Sequence, residues 1–156
     1  MQPYQTSAYH AVTSPNRPEP RRRTAKRHAA QGETDYYTGW GGSSVIVAEA
    51  RRYIGTNPTK YSRLWCAYFM NMVLERTGHR GTGSGMAKSF ASYGTRVSGP
   101  QVGAIAVMSR GRNGGHVGVV SGIDEKGNPI IISGNHNKRV AEAVYPRGRI
   151  YAYVMP

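Results

Sequence analysis

The chain changes its hydropathy period once, near Gly103, and that switch limits the fold more than any other feature. Ahead of it, apolar residues recur at helical spacing. Beyond it they alternate with period two between Gly, Pro and Asn breaks. Ile46, Val47, Ala50, Tyr53 and Ile54 predict a helix over Val45–Ile54, with Ser44 to cap it and Gly55 to end it. Trp65–Thr77, closed by Gly78, predicts a second helix; its only polar stripe is Asn71 and Glu75, so neighbours must enclose most of it. Ser84–Tyr93 predicts a short third helix ending at Gly94. Strands are predicted over Ala104–Met108, His116–Ile123, Pro129–Ser133, Arg139–Tyr145 and Ile150–Val154, with turns at Gly111–Gly115 and Asp124–Asn128. Helices first and strands afterwards, with short connections, imply an α+β fold with a small antiparallel sheet.

The only cysteine, Cys66, falls where the second helix opens. A helix N-terminus favours the thiolate, the attacking species of a thiol. His116 opens a predicted strand fifty residues on, flanked by Gly115 and Gly118, which leave room for close backbone approach. An imidazole within reach of a thiol takes its proton and later returns it to a leaving group. The apolar strand Ile130-Ile131-Ile132 then ends in Ser133-Gly134-Asn135-His136-Asn137, which offers polar side chains to orient that imidazole. A buried inert thiol and a core histidine are the plainer readings of Cys66 and His116, and spacing alone does not bring the two together.

The local sequences add to this. Trp65-Cys66-Ala67-Tyr68-Phe69-Met70-Asn71, Gly115-His116-Val117-Gly118 and Gly134-Asn135 resemble the signature segments of small bacterial and phage cell-wall hydrolases. These are the CHAP-type (cysteine, histidine-dependent amidohydrolase/peptidase) and related NlpC-type enzymes. The resemblance runs from about Val45 to Pro156, with minor matches at Tyr53-Ile54-Gly55 and Ala87-Lys88-Ser89-Phe90. It departs at Gly103-Ala104, where the family strand usually opens Gly-Asp, and at Leu64, where an acidic or small polar residue is common. It implies a papain-like core with N-terminal helices packed on a small antiparallel sheet. It also implies thiol-dependent hydrolysis of a peptidoglycan amide bond with no metal or organic cofactor. Cys66 is then the nucleophile, His116 the base and Asn135 the orienting residue, favoured over His136. The expected substrate contacts are Tyr53, Trp65 and His136.

Composition sets the partners and the domain count. A length of 156 residues, 38% of them hydrophobic, suffices for one compact domain and a tail. Residues 1–44 are rich in Pro, Ser, Thr and Arg and are expected to be a flexible leader or anchor, with Tyr36, Tyr37 and Trp40 able to pack as a lead-in. Residues 45–156 are expected to be the hydrolase domain. The leader holds six Lys/Arg and three acidic residues, the domain fifteen and five, so +10 of the net +13 belongs to the domain. Such a domain is drawn to polyanions: nucleic acid, anionic lipid or an acidic envelope polymer. The resemblance selects peptidoglycan and disfavours nucleic acid, and leaves a phage particle or secretion machinery as a partner of the leader.

No stretch has the roughly 20 apolar residues of a membrane span. Arg21–Arg27 is followed by polar residues, so no cleavable signal is read; action in the periplasm or outside the cell then needs another export route or a leader missing from this sequence. One cysteine excludes an internal disulfide and a Cys-rich zinc site. Gly81–Gly85 follows a helix and lacks the lysine of a phosphate loop, and Asp124–Asn128 has too few acids for calcium. His79, after a helix end, reads as structural, and His10 and His28 as solvated. The competing function is a non-catalytic basic binding or structural module of a phage or secretion apparatus, with Cys66 inert.

Overall fold

The computed structural model describes residues 41–156, with side chains from Val45 onward. The expectations for Tyr36, Tyr37, Trp40, His10, His28 and Arg21–Arg27 lie outside the described residues.

Helix α1 spans Gly41–Arg51. It starts four residues before the predicted Val45, so Ser44 lies inside it and the expected boundary at residue 44 falls within a helix. It stops at Arg51 and not at Ile54 because the chain turns there, with Gly55 at a φ of 87°. Ile46, Val47 and Ala50 are its buried face.

Helix α2 spans Cys66–Arg76. Trp65, predicted as its first residue, stands at the N-cap position, and Thr77 at the C-cap. Thr77 Oγ1 donates to the Val73 and Leu74 carbonyls, and Gly78 follows at a φ of 85°. Cys66, Ala67, Phe69, Met70, Val73 and Leu74 are all buried. Fully burying each large apolar side chain contributes about 1.5–3 kcal/mol.

The third predicted helix is a 3-10 helix, Ala87–Ser92, shorter than Ser84–Tyr93. Met86 is extended, with φ −97° and ψ 129°, so helix cannot begin ahead of Ala87. Asn71 of α2 meanwhile holds the preceding loop: its Nδ2 donates to the Ser84 carbonyl at 2.8 Å, and its Oδ1 accepts from the Thr82 N–H at 2.8 Å.

Six strands follow: β1 Thr95–Val97, β2 Ile105–Arg110, β3 Gly114–Ile123, β4 Pro129–His136, β5 Arg139–Val144 and β6 Ile150–Met155. They form one antiparallel sheet in the order β1-β6-β2-β3-β4-β5. The architecture is α+β with a small antiparallel sheet, as the change of period implies. Strand β1 was not predicted. Three residues carry too little pattern, and they are extended here because β6 offers a free edge.

The two faces of the sheet carry different loads. Ile105, Val107, Val117, Val119, Ile132, Ala152 and Val154 join the core with α1 and α2. Ala104, Ala106, Met108, Val120, Ile131, Tyr145 and Tyr153 make a second cluster. Strand β4 runs three residues beyond its predicted end at Ser133. Its pairing with β5 slips between Ser133 and His136, where Asn135 adopts a φ of 57°. His136 then pairs with Arg139 across a two-residue turn, Asn137-Lys138, in which both residues have positive φ. That is the primed hairpin turn whose twist suits flanking strands, and asparagine favours it.

Candidate active site

The site is built where α2 begins. Leu64, at a φ of 52°, turns the chain sharply into Trp65, and Trp65 and Phe69 wedge the helix start against β4 at Gly134. A Cβ on Gly134 would lie 2.7 Å from Trp65 Cζ3 and 2.8 Å from Phe69 Cβ, so only glycine admits this approach. Trp65 gives the helix no side-chain cap, which leaves its first N–H groups without that partner.

Cys66 follows, 5% exposed, at the floor of a cavity of about 390 Å³. Leu64, Met86 and Tyr151 form apolar parts of its wall, and Lys88, Arg110 and Arg112 supply its charge. Burial pushes the Cys66 thiol up from its ordinary pKa. Backbone hydrogen bonds from Val117 and Ala67, the Arg110 charge and the backbone of Cys66 itself pull it down, but burial prevails. The thiol therefore does not take the lowered pKa that a helix start favours: burial outweighs the backbone hydrogen bonds and the Arg110 charge.

The Val117 contact brings the thiol beside the residue that follows His116. His116 itself is 3% exposed on β3. Its Nε2 lies 2.8 Å from Ser133 Oγ and 3.3 Å from the Tyr145 hydroxyl. Ser133 can reach it because β3 carries Gly118 opposite: a Cβ there would sit 2.8 Å from Ser133 Cβ and 2.6 Å from the Ile132 carbonyl oxygen. The chain of hydrogen bonds continues from Ser133 Oγ to Tyr145 Oη at 3.3 Å and from Tyr145 Oη to His136 Nδ1 at 2.8 Å.

His116 Nδ1 is buried and has no hydrogen-bond partner. One tautomer accommodates all of this. Nε2–H donates to Ser133, whose hydroxyl donates to Tyr145, whose hydroxyl donates to His136. The Nδ1 lone pair is thereby left free to accept a proton. Burial, aided by the charges of Arg110, His136 and Arg149, lowers the His116 pKa to about 4. At neutral pH the pair therefore rests as thiol and neutral imidazole. A thiol and a neutral base suit concerted proton transfer during attack, in contrast to a preformed thiolate–imidazolium pair.

The remaining predicted residues are distributed as follows. Asn135 lines the Cys66 cavity and is not among the hydrogen-bond partners of His116; Ser133 and Tyr145 hold that ring. His136 lines a second cavity of about 130 Å³ together with His116, Tyr145, Arg110 and Arg149, and it reaches the ring only through Tyr145. Tyr53 and Trp65 line neither cavity. Tyr53 donates to Glu49 and packs edge-on against Phe69, and Trp65 is fully buried, so the structure places both in packing roles.

Sequence reasoning missed Ser133, Tyr145 and Arg110. For Ser133 the signal was a hydroxyl directly after three isoleucines, since a polar group in such a strand must find a partner. Among the described residues no group of three His, Cys, Asp or Glu is placed to hold a metal ion, and no helix is long and apolar enough to cross a membrane.

In the comparison with protein families, the CHAP domain model matches residues 56–135, just over half of the chain. The chain belongs to the CHAP-domain family. The match takes in Cys66, His116, Ser133 and Asn135, while His136, Tyr145 and Arg149 lie beyond it. Searches of curated proteins and of solved structures find no match. Membership in the CHAP family points to peptidoglycan hydrolase activity in general and to peptidoglycan as substrate.

Proposed function

We propose that this CHAP domain is a papain-like cysteine amidohydrolase or peptidase that cleaves an amide bond of peptidoglycan in the periplasm or outside the cell. The observation that carries the reading is the state of His116: one ring nitrogen is held by Ser133, the other is buried and unpartnered, and the backbone of the next residue, Val117, bonds the Cys66 thiol. Cys66 Sγ attacks the carbonyl carbon while His116 Nδ1 takes the thiol proton. The uncapped N–H groups at the start of α2 support the oxyanion. His116 then protonates the leaving amine, a thioester remains on Cys66, and water activated by the same imidazole releases the acid.

Helices ahead of an antiparallel sheet, with the thiol opening one helix and the base on a strand, support the papain-like description. Which amide is cut, between glycan and peptide or within the peptide, is read by mass spectrometry of purified peptidoglycan after incubation. The expected result is a single class of new amine and carboxylate ends, absent with Cys66→Ala. Turnover by Cys66→Ala within tenfold of wild type would refute the mechanism.

A further inference from the structure

The acidic side chains of the described residues lie away from both cavities. Glu49 pairs with Arg52 and Arg76, and Glu142 pairs with Arg51. Asp124 is engaged within its own turn by Lys126 and Asn128, and neither Glu75 nor Glu125 lines a cavity. The cations gather where the acids are missing. Arg110 and Arg149 converge with His136 on the smaller cavity, and Arg110 also lines the Cys66 cavity, so one guanidinium joins the two. Among the described residues neither guanidinium has a carboxylate partner. Arg149 lies over the Tyr145 ring, 5.7 Å from its centroid, and Tyr145 is itself tied to His136, so the group is oriented.

Two guanidiniums and the His136 imidazole, with the His116 ring and Tyr145 beside them, surround a cavity of about 130 Å³; the set matches a small oxyanion, and arginine forks suit carboxylates. Because Arg110 faces the nucleophile too, the anion belongs to the molecule whose amide is cut. Stem peptides of peptidoglycan carry free carboxylates within a residue or so of their amide bonds. Resting on the hydrolase reading above, we infer that Arg110, Arg149 and His136 form a subsite for a free carboxylate of the stem peptide, adjacent to the bond presented to Cys66. A carboxylate seated there also answers a need of the reaction. When His116 gains its proton, its Nε2–H donates only to the neutral hydroxyls of Ser133 and Tyr145, with two arginines close by. The substrate would then supply the negative charge that the protein's own side chains do not.

The test is binding, so it does not depend on turnover. Full-length chain carrying Cys66→Ala is titrated with a synthetic stem-peptide fragment whose carboxylate is free, and with the same fragment as its carboxamide. The free acid should bind about tenfold more tightly, equivalent to about 1.4 kcal/mol. Raising salt from about 0.1 M to 1 M, which shortens the screening length from about 10 Å to about 3 Å, should shrink that ratio. Arg149→Gln, at an exposed residue whose loss should leave the melting temperature unchanged, should bring the ratio near one by weakening the acid alone.

Equal affinity for the two forms overturns the inference, as does a ratio that survives both Arg149→Gln and Arg110→Gln, or no measurable binding of either form. Hydrolysis by the intact chain is scored separately. Discrimination without hydrolysis would keep the subsite and sink the hydrolase reading. Hydrolysis without discrimination would do the reverse.

Discussion

Replacing Ser133 by alanine is the sharpest probe of how His116 is held. Ser133 is fully buried, and its Oγ accepts from His116 Nε2 at 2.8 Å. Removing it leaves a buried N–H without its partner, which costs about 1–3 kcal/mol. The nearest substitute acceptor, the Tyr145 hydroxyl at 3.3 Å, is already placed and recovers part of that, so the lower end applies. The cost falls mainly on the imidazolium formed in the transition state. At about 1.36 kcal/mol per tenfold, kcat for Ser133→Ala should drop about tenfold with KM little changed. Adding Tyr145→Phe removes the fallback and should deepen the loss to about a hundredfold, beyond the sum of the two single effects. Asn135→Gly, which keeps the positive φ of that position, should act on KM and not on kcat, because Asn135 touches the cavity and not the ring. Kinetics on a soluble muropeptide decide the matter. Wild-type kcat in the Ser133→Ala, Tyr145→Phe double variant would refute the reasoning, and a larger kcat loss for Asn135→Gly would hand the orienting role back to Asn135.

Cys66→Ser should be almost as inactive as Cys66→Ala, because a hydroxyl ionises far less readily than a thiol; activity of either within tenfold of wild type would contradict the nucleophile assignment. Gly134→Ala should lower the melting temperature by pushing the start of α2 off β4, at a cost of about 1–3 kcal/mol; an unchanged melting curve would show that Trp65 can yield. His116 must be neutral to accept the thiol proton, and its pKa is held at about 4, so kcat/KM should fall as pH drops through about 4; an acid limb near 6.5 would contradict this. Stability carries the same sign: the contribution of His116 is full above about 6.5 and is lost as pH falls through about 4. Activity on intact walls should fall with added salt far more than activity on a short neutral fragment, because the +10 of residues 45–156 acts through a screened field. Equal salt sensitivity would remove that charge from substrate capture.

What the sequence made readable followed from strong local patterns. The apolar faces of α1 and α2 and the alternation in β2 to β6 declared their own periods, and Cys66 and His116 stood out because their residue types carry chemistry. The 3-10 helix did not declare itself: Ser84–Tyr93 has helical spacing, but a bond from Asn71, thirteen residues away, holds the Ser84 backbone outside any helix. Nor did the partner of His116. Ser133 read as the last residue of a strand, because the slip in pairing that carries β4 on to His136 depends on one asparagine in a left-handed conformation. The depth of Cys66 and His116 was also hidden. A helix start suggests a charged thiol, and only the packing of β3 under α2 reveals that burial decides otherwise.

The Asn71 clasp has a consequence for how such a cleft can change. The residue that ties the loop ahead of Met86 and Lys88 lies five positions along the same helix that carries Cys66. The loop at Thr82 and Ser84 is thus tied to the rod that carries Cys66, while the 3-10 helix bearing Lys88 packs on β2 and β3. Breathing of the helix against the sheet would be taken up in the short stretch between Ser84 and Ala87, which borders the cavity. Substitutions at Met86 or Lys88 can resize the mouth for a different cross-bridge while the thiol keeps its bearing.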